Sequence, residues 1–323
     1  MNRMKTLFKL PLVILAFYLI AVLTLPQARG GVNLLKTLRN FVDPDLPVTT
    51  VPYGPDPQEV ADIVRPKSPM PFPAVVLIHG GGWSAGKKED MGGDAQRLAK
   101  AGFTVINIGY RIGKQDDSRT HWPAQLQDAQ LTVRWARAHA QILGLDPRRI
   151  CAMGGSSGGQ LAMQLGYLKQ SLPGDRSDLF KEQSPTVSCV VNICGPANLT
   201  HPEFIQGLKN VGLQSLPFLG GKSLAEAPDQ WLSASPLYAI KSDSAPTMLV
   251  QALSDVIVPR AIGNELVEKL AKEKVPHRFI EVDGDHGLIN TPHAQKRMVD
   301  TAVLEFLNSN LRGTLSGNSR SDQ

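Results

Sequence analysis

The chain has little cysteine, no charge excess in its body and no internal repeat, and each shortage removes a class of protein. Three cysteines in 323 residues, Cys151, Cys189 and Cys194, are too few and too badly spaced for a disulfide framework or a zinc site. They sit in or beside apolar strand-like runs, so they read as buried thiols acting as small hydrophobes, with one bridge left open in an oxidising compartment. Four of the five net positive charges come from Arg3, Lys5, Lys9 and Arg29, and residues 31–323 carry 30 bases against 29 acids. No clustered basic face is left to hold a nucleic acid, and no such partner is expected. Without a repeat there is no solenoid or array. An apolar fraction of 42% then describes an ordinary folded protein with room for one large α/β domain or two small ones.

What is present begins with a leader. Residues 1–30 run from a basic stretch, Met1 to Lys9, through a mostly apolar run, Leu10 to Leu25, to Ala28-Arg29-Gly30 as a small-x-small cleavage site. The run spans 16 residues, short of the roughly 20 that cross a bilayer. Two readings stay open, a cleaved signal peptide or an N-terminal anchor with membrane attachment through residues 8–25. Both place the body outside the cytoplasm, as a periplasmic, secreted or membrane-anchored protein.

Residues 31–58 are loop-rich and proline-rich, an entry segment with a first strand-like run at Val48 to Val51, followed by another at Val60 to Val64. From Ala74 the pattern alternates: a strand to Ile78, a helix near Glu89 to Ala101, a strand from Phe103 to Ile108. A helix opening at Trp122-Pro123 carries Leu126, Ala129, Val133 and Ala136 on one face, and a strand from Ile150 to Met153 follows. Further strands are expected at Val187–Ile193, Thr247–Ala252 and Arg278–Val282, with helices at Arg260–Lys272 and Ala294–Leu307. Such alternation means βαβ units and a mostly parallel sheet, an α/β fold. The period breaks down over 197–236, which reads as a small cap-like insertion, and residues 311–323 read as a flexible tail, leaving 59–310 as the main domain.

Two glycine-rich segments carry the chemistry. Gly154-Gly155-Ser156-Ser157-Gly158-Gly159 follows a strand and precedes a helix, the context in which a sharp turn lifts a serine hydroxyl above the sheet edge. Ser156 and Ser157 both satisfy G-x-S-x-G. His79-Gly80-Gly81-Gly82-Trp83 follows the strand ending at Ile78, and its glycines let backbone N–H groups converge on an oxyanion. His79, at the start of that loop, reads as structural.

With Tyr110-Arg111 and Asp146-Pro147-Arg148-Arg149-Ile150 between them, these segments resemble the α/β-hydrolase superfamily over residues of about 56 to 308. Within it the chain is similar to carboxylesterases of the hormone-sensitive-lipase-like and bacterial feruloyl-esterase-like groups. The resemblance implies an eight-stranded, mostly parallel sheet with helices on both faces. It puts the nucleophile at Ser156 and makes Ser157 an N–H donor to the oxyanion hole beside Gly81 and Gly82. Asp255 falls in the loop after the strand Thr247–Ala252, and His286 in Asp283-Gly284-Asp285-His286-Gly287, giving the Ser, Asp, His order. His121, His139, His201, His277 and His293 read as structural. Gly155 departs from the polar residue frequent in relatives, and Ala252-Leu253 from a frequent His-Gly.

The expected activity is hydrolysis of small or aryl carboxylic esters through an acyl-enzyme, with a small-molecule ester as partner and no metal or other cofactor. Trp83, Phe218 and Trp231 are candidates for the substrate pocket. An amide or peptide hydrolase, arylformamidase-like or peptidase-like, is the alternative, and a non-catalytic binding protein on the same fold is the alternative of another class. Substrate identity and oligomeric state are not legible at this level.

Overall fold

The computed structural model describes residues 45–68, 71–174, 176–213 and 215–312. The leader, residues 31–44 of the entry segment and nearly all of the tail lie outside the described residues. Eight strands form one sheet: β1 (Val48–Pro52), β2 (Val60–Val64), β3 (Phe72–Ile78), β4 (Thr104–Ile108), β5 (Leu145–Gly155), β6 (Cys189–Ile193), β7 (Thr247–Ala252) and β8 (His277–Val282). Their spatial order is β1-β2-β4-β3-β5-β6-β7-β8. β2 pairs antiparallel with β1 and β4, and every other pair is parallel.

The α-helices of six or more residues are α1 (Gly92–Lys100), α2 (Ala124–Ala138), α3 (Ser157–Tyr167), α4 (Pro202–Asn210), α5 (Pro228–Ser233), α6 (Arg260–Lys272) and α7 (His293–Leu311). Successive strand side chains point to opposite faces, so the sheet feeds two cores. Ala74, Val76 and Ile78 of β3 join Leu126 of α2, Leu161 of α3 and Leu266 of α6. Val75 and Leu77 join Leu98 of α1 and Val303 and Leu307 of α7 on the other face. Strands covered on both faces bury nearly every position, which is why β3 reads as an apolar run and β4 and β7 do not alternate, their polar Thr104, Asn107, Thr247 and Gln251 being buried as well. Among the described residues no helix is long and apolar enough to cross a membrane.

The strand order places the site. β3 lies between β4 and β5, so the chain reverses its direction across the sheet there, and α1 and α3 leave for opposite faces. Ile78, the last residue of β3, is in register with Gly154 near the end of β5. The two glycine-rich loops therefore emerge side by side at the carboxyl ends of the strands, where a crevice opens between diverging helices.

The strand-like run expected at Val48 to Val51 within the entry segment is β1, which pairs with β2 along its whole length. Other boundaries differ from expectation. The helix expected over Glu89–Ala101 is a 3₁₀ turn, Lys88–Met91, followed by α1, with Gly92 and Gly93 at the junction. The last helix continues to Leu311 instead of Leu307, because Leu311 is buried in the core under α7. The tail accordingly starts after Arg312, whose guanidinium donates to Gly102 O at 2.8 Å and lies over the Phe103 ring.

The insertion is held firmly to the main domain. Phe204, Leu208, Leu216, Phe218 and Trp231 are buried in the same core as the strands. Trp122 Nε1 donates to Ser233 Oγ at 2.9 Å and Gln164 Nε2 donates to Ser233 O at 2.9 Å, tying α5 to the helices beneath it.

Candidate active site

Ser156 is the N-cap of α3 and takes φ 53° and ψ −124°. A non-glycine residue in such a conformation costs on the order of 1–3 kcal/mol and persists only where its surroundings impose it. Here Ser156 N donates to Ile193 O at 2.8 Å, and Gln160 N donates to Ser156 O at 3.1 Å, closing the first turn. The helix must also start very close to β3. A Cβ on Gly158 would lie 2.2 Å from Ile78 O, so only glycine fits the second position after the serine.

Three polar side chains from three elements meet at this turn. His286 Nε2 lies 2.7 Å from Ser156 Oγ, and His286 Nδ1 lies 2.8 Å from Asp255 Oδ2. The Asp255 side chain is fully buried and that of His286 is 19% exposed. A carboxylate at Nδ1 fixes the neutral ring with its proton there, leaving Nε2 to accept the serine hydroxyl proton. Asp255 Oδ1 in turn accepts from Ile257 N at 3.0 Å and Val258 N at 2.8 Å, which orients the carboxylate. Asp285, the neighbour of His286, accepts instead from Asn290 Nδ2 at 2.6 Å.

The loop after β3 borders the serine. A Cβ on Gly80 would lie 3.2 Å from Ser156 Cβ, so the loop passes directly against the turn that carries Ser156. Gly81 has φ 119°, and its carbonyl is turned away to accept from Ser84 N at 3.1 Å and Ala85 N at 2.9 Å. Such a φ is open to glycine and strained for other residues. Among the described residues the N–H groups of Gly81, Gly82 and Ser157 have no acceptor.

That loop is braced from behind. His79 is buried, its Nδ1 donates to Gly80 O at 2.7 Å, and its ring stacks on Tyr110 at 4.3 Å. Tyr110 Oη donates to His79 O at 3.1 Å. Burial holds the His79 imidazole below its ordinary pKa, favouring the neutral ring. Arg111 follows with a buried forked pair to Asp128, Nη2 to Oδ1 at 2.6 Å and Nε to Oδ1 at 2.9 Å. The Tyr-Arg dipeptide is thus a brace for the loop that borders the serine.

The three aromatic pocket candidates are placed otherwise than expected. Trp83 and Phe218 stack on one another at 4.3 Å, and both are buried. Trp231 is buried too, donating Nε1 to Lys222 O at 3.1 Å. With 2%, 0% and 4% of their surfaces accessible, Trp83, Phe218 and Trp231 form the core joining the insertion to the domain and offer almost no surface to a ligand. Four of the other five histidines serve local structure: His121, His139 and His277 donate to backbone carbonyls, and His201 caps α4, while His293 is the first residue of α7.

One supporting residue was missed from sequence. Gln160 accepts from Trp83 Nε1 at 2.9 Å and donates Nε2 to Ala234 O at 2.6 Å. A fully buried glutamine in an otherwise apolar helix start is the signal that would have found it. The cysteines are free and buried, with Cys151 and Cys189 opposite each other on β5 and β6.

Comparisons with known proteins find relatives named as esterases. The chain is similar to Esterase LipC of Mycobacterium tuberculosis, 27% identical over 267 residues that cover 79% of this chain and 63% of that protein. Esterase LipQ of the same organism is 26% identical over 268 residues, 80% of this chain and 61% of that protein. The chain thus spans less than two thirds of the length of these relatives. A solved truncated form of a carbohydrate esterase from gut microbiota superposes with a TM-score of 0.71 at 24% identity, covering 82% of this chain and 96% of that one. The Est2 esterase of Thermogutta terrifontis superposes with a TM-score of 0.67 at 20% identity, covering 85% and 95%. These likenesses fix an α/β-hydrolase fold. The BD-FAE family model matches residues 61–270, and the chain belongs to the BD-FAE family.

Proposed function

We propose that the protein is a serine carboxylesterase acting on small or aryl esters, with Ser156 as nucleophile, His286 as general base and Asp255 as orienting acid. The observation that carries the reading is the continuous relay from Asp255 Oδ2 through the ring to Ser156 Oγ, at 2.8 and 2.7 Å. His286 takes the hydroxyl proton as Ser156 attacks the ester carbonyl, and the buried Asp255 favours the imidazolium that forms. The unpartnered N–H groups of Gly81, Gly82 and Ser157 receive the oxyanion. The imidazolium then protonates the leaving alcohol, and water repeats the cycle on the acyl-enzyme. The esterase relatives support the same reaction class.

The test is hydrolysis of p-nitrophenyl acetate and butyrate by the full chain and by Ser156→Ala. Loss of at least about a thousandfold in kcat is expected. Undiminished turnover in the variant would reject the mechanism.

The basic and then apolar leader supports a body placed outside the cytoplasm. Mass spectrometry of the mature N-terminus in cell fractions tests this. Removal of residues 1–30 marks a signal peptide, retention in membranes marks an anchor, and intact cytosolic protein contradicts both.

A further inference from the structure

The chain turns sharply where β6 ends, and the turn is closed by a side chain of the strand itself. Asn192 is fully buried in an inner strand, where an apolar residue is the ordinary choice. Its Oδ1 accepts from Gly195 N at 2.9 Å and its Nδ2 donates to Gly195 O at 3.0 Å, so one amide clamps both polar groups of one residue. Nδ2 also lies 3.3 Å from Met163 Sδ. A buried amide is tolerated when its partners are satisfied in this way. Inside the clamp Cys194 takes φ 52°, a left-handed value that a side-chain-bearing residue seldom adopts. Cys194 N donates to Val250 O at 2.8 Å, which ties the turn to β7.

This turn meets the segments that carry all three members of the relay. On one side Ile193 O accepts from Ser156 N at 2.8 Å. A Cβ on Gly195 would lie 2.7 Å from Ser156 O and 2.9 Å from Gln160 N, and one on Gly159 would lie 2.2 Å from Asn192 Oδ1. The turn is thus packed directly on the first turn of α3, behind the strained backbone of Ser156. On the other side Val250 belongs to the strand that leads to Asp255. The Cys194 side chain is fully buried against the Asp255 carboxylate and the backbone of Ala252, Gly287 and Leu288, the last two following His286 directly. Burial and then the Asp255 charge push the thiol up to about 11, so it stands there as a neutral group.

We propose that the turn Asn192–Gly195 is the positioning element of the relay. Asn192 closes the turn and so holds Ser156 at its angle of attack, and Cys194 sets the spacing of the loops that carry the acid and the base. Both are positioning residues, and neither touches the reacting atoms. The inference rests on the esterase reading above and adds the residues that hold its geometry.

The test uses the full-length protein, p-nitrophenyl butyrate and the organophosphate diisopropyl fluorophosphate. Asn192→Leu keeps the shape of the side chain and leaves both polar groups of Gly195 unpaired. A misplaced nucleophile should lower kcat by about ten- to a hundredfold with KM nearly unchanged, and the rate of phosphorylation should fall in step. Cys194→Ala should lower kcat by about tenfold at a similar KM, and Cys194→Ser, which restores an atom of similar reach, should recover most of the loss. A folded Asn192→Leu protein with wild-type kcat and phosphorylation rate overturns the proposal, whatever its melting temperature. So does wild-type kcat in Cys194→Ala, or a Cys194→Ser protein no more active than Cys194→Ala. Should Asn192→Leu fail to fold, the two Cys194 variants decide the matter. Absence of any Ser156-dependent hydrolysis by the wild type would instead remove the esterase reading, and this inference with it.

Discussion

The Trp83 indole donates Nε1–H to Gln160 Oε1 at 2.9 Å, so the loop that borders Ser156 is hydrogen-bonded to the first turn of the helix that follows Ser156. Gln160 passes the restraint on to the insertion through Ala234 O. Both its bonds are buried, and removing the amide leaves an indole N–H and a carbonyl unpaired. Gln160→Leu should lower stability by about 1–3 kcal/mol. Because the loop holding Gly81 and Gly82 loses its anchor, kcat should fall by about tenfold with little change in KM. Urea titration and steady-state kinetics on one ester read both effects.

Gly158 and Gly82 predict opposite phenotypes. A methyl group on Gly158 would stand 2.2 Å from Ile78 O, a backbone atom of the central strand, and α3 would have to move away. Gly158→Ala should cost at least about 3 kcal/mol or prevent folding. A methyl on Gly82 meets nothing within 4 Å, although its φ of 59° carries a penalty. Gly82→Ala should fold with a loss of about 1–2 kcal/mol. Thermal melts of the two variants distinguish them.

His79 should make the fold sensitive to acid. Its folded pKa lies below the unfolded value because burial disfavours the imidazolium. The unfolded chain therefore binds the proton more readily, and stability is fully present above about pH 6.5, the unfolded value, and declines below it toward the folded pKa. His79→Phe keeps an aromatic ring against Tyr110 and has no proton to gain. The melting temperature of the wild type should fall more steeply below about pH 6.5 than that of the variant, whatever their difference at pH 8. Parallel curves would contradict the assignment.

The pair of Arg111 and Asp128 is buried on both sides, so removing the carboxylate strips a buried guanidinium of its forked acceptor. Asp128→Ala should cost about 3–5 kcal/mol. Its effect on kcat should be smaller, because the pair braces the β4 loop without touching the reacting groups. Chemical denaturation followed by kinetics under native conditions separates the two.

Much of this was readable before any coordinates. The central strands from Ala74 onward announce themselves because a sheet covered on both faces leaves mostly apolar runs without alternation. The nucleophile turn is legible because Gly154, Gly158 and Gly159 sit where helix and strands nearly touch, a local demand written in adjacent positions. Asp255 and His286 were found by their order after the serine and by the loops that carry them. Tertiary placement was less visible. Phe218 meets Trp83 across 135 positions of sequence, and nothing in a stretch of prolines and glycines says that its aromatics face inward instead of lining a pocket. Arg97 and Asp300 each look like ordinary polar positions on a surface helix until α1 and α7 are laid side by side. Gln160 sits in the first turn of α3, but its partners are a loop 77 positions earlier and a carbonyl 74 positions later.

The central claim is that Ser156, and not its neighbour Ser157, is the nucleophile. The two differ in placement: Ser156 Oγ faces His286 Nε2 at 2.7 Å, whereas Ser157 is buried at the start of α3. Incubation of the full-length protein with an organophosphate such as diisopropyl fluorophosphate, followed by peptide mapping and fragmentation mass spectrometry, tests this directly. One phosphoryl adduct on Ser156, formed in step with loss of esterase activity and absent in Ser156→Ala, is the predicted result. An adduct on Ser157, or full inactivation of the Ser156→Ala protein, would contradict it.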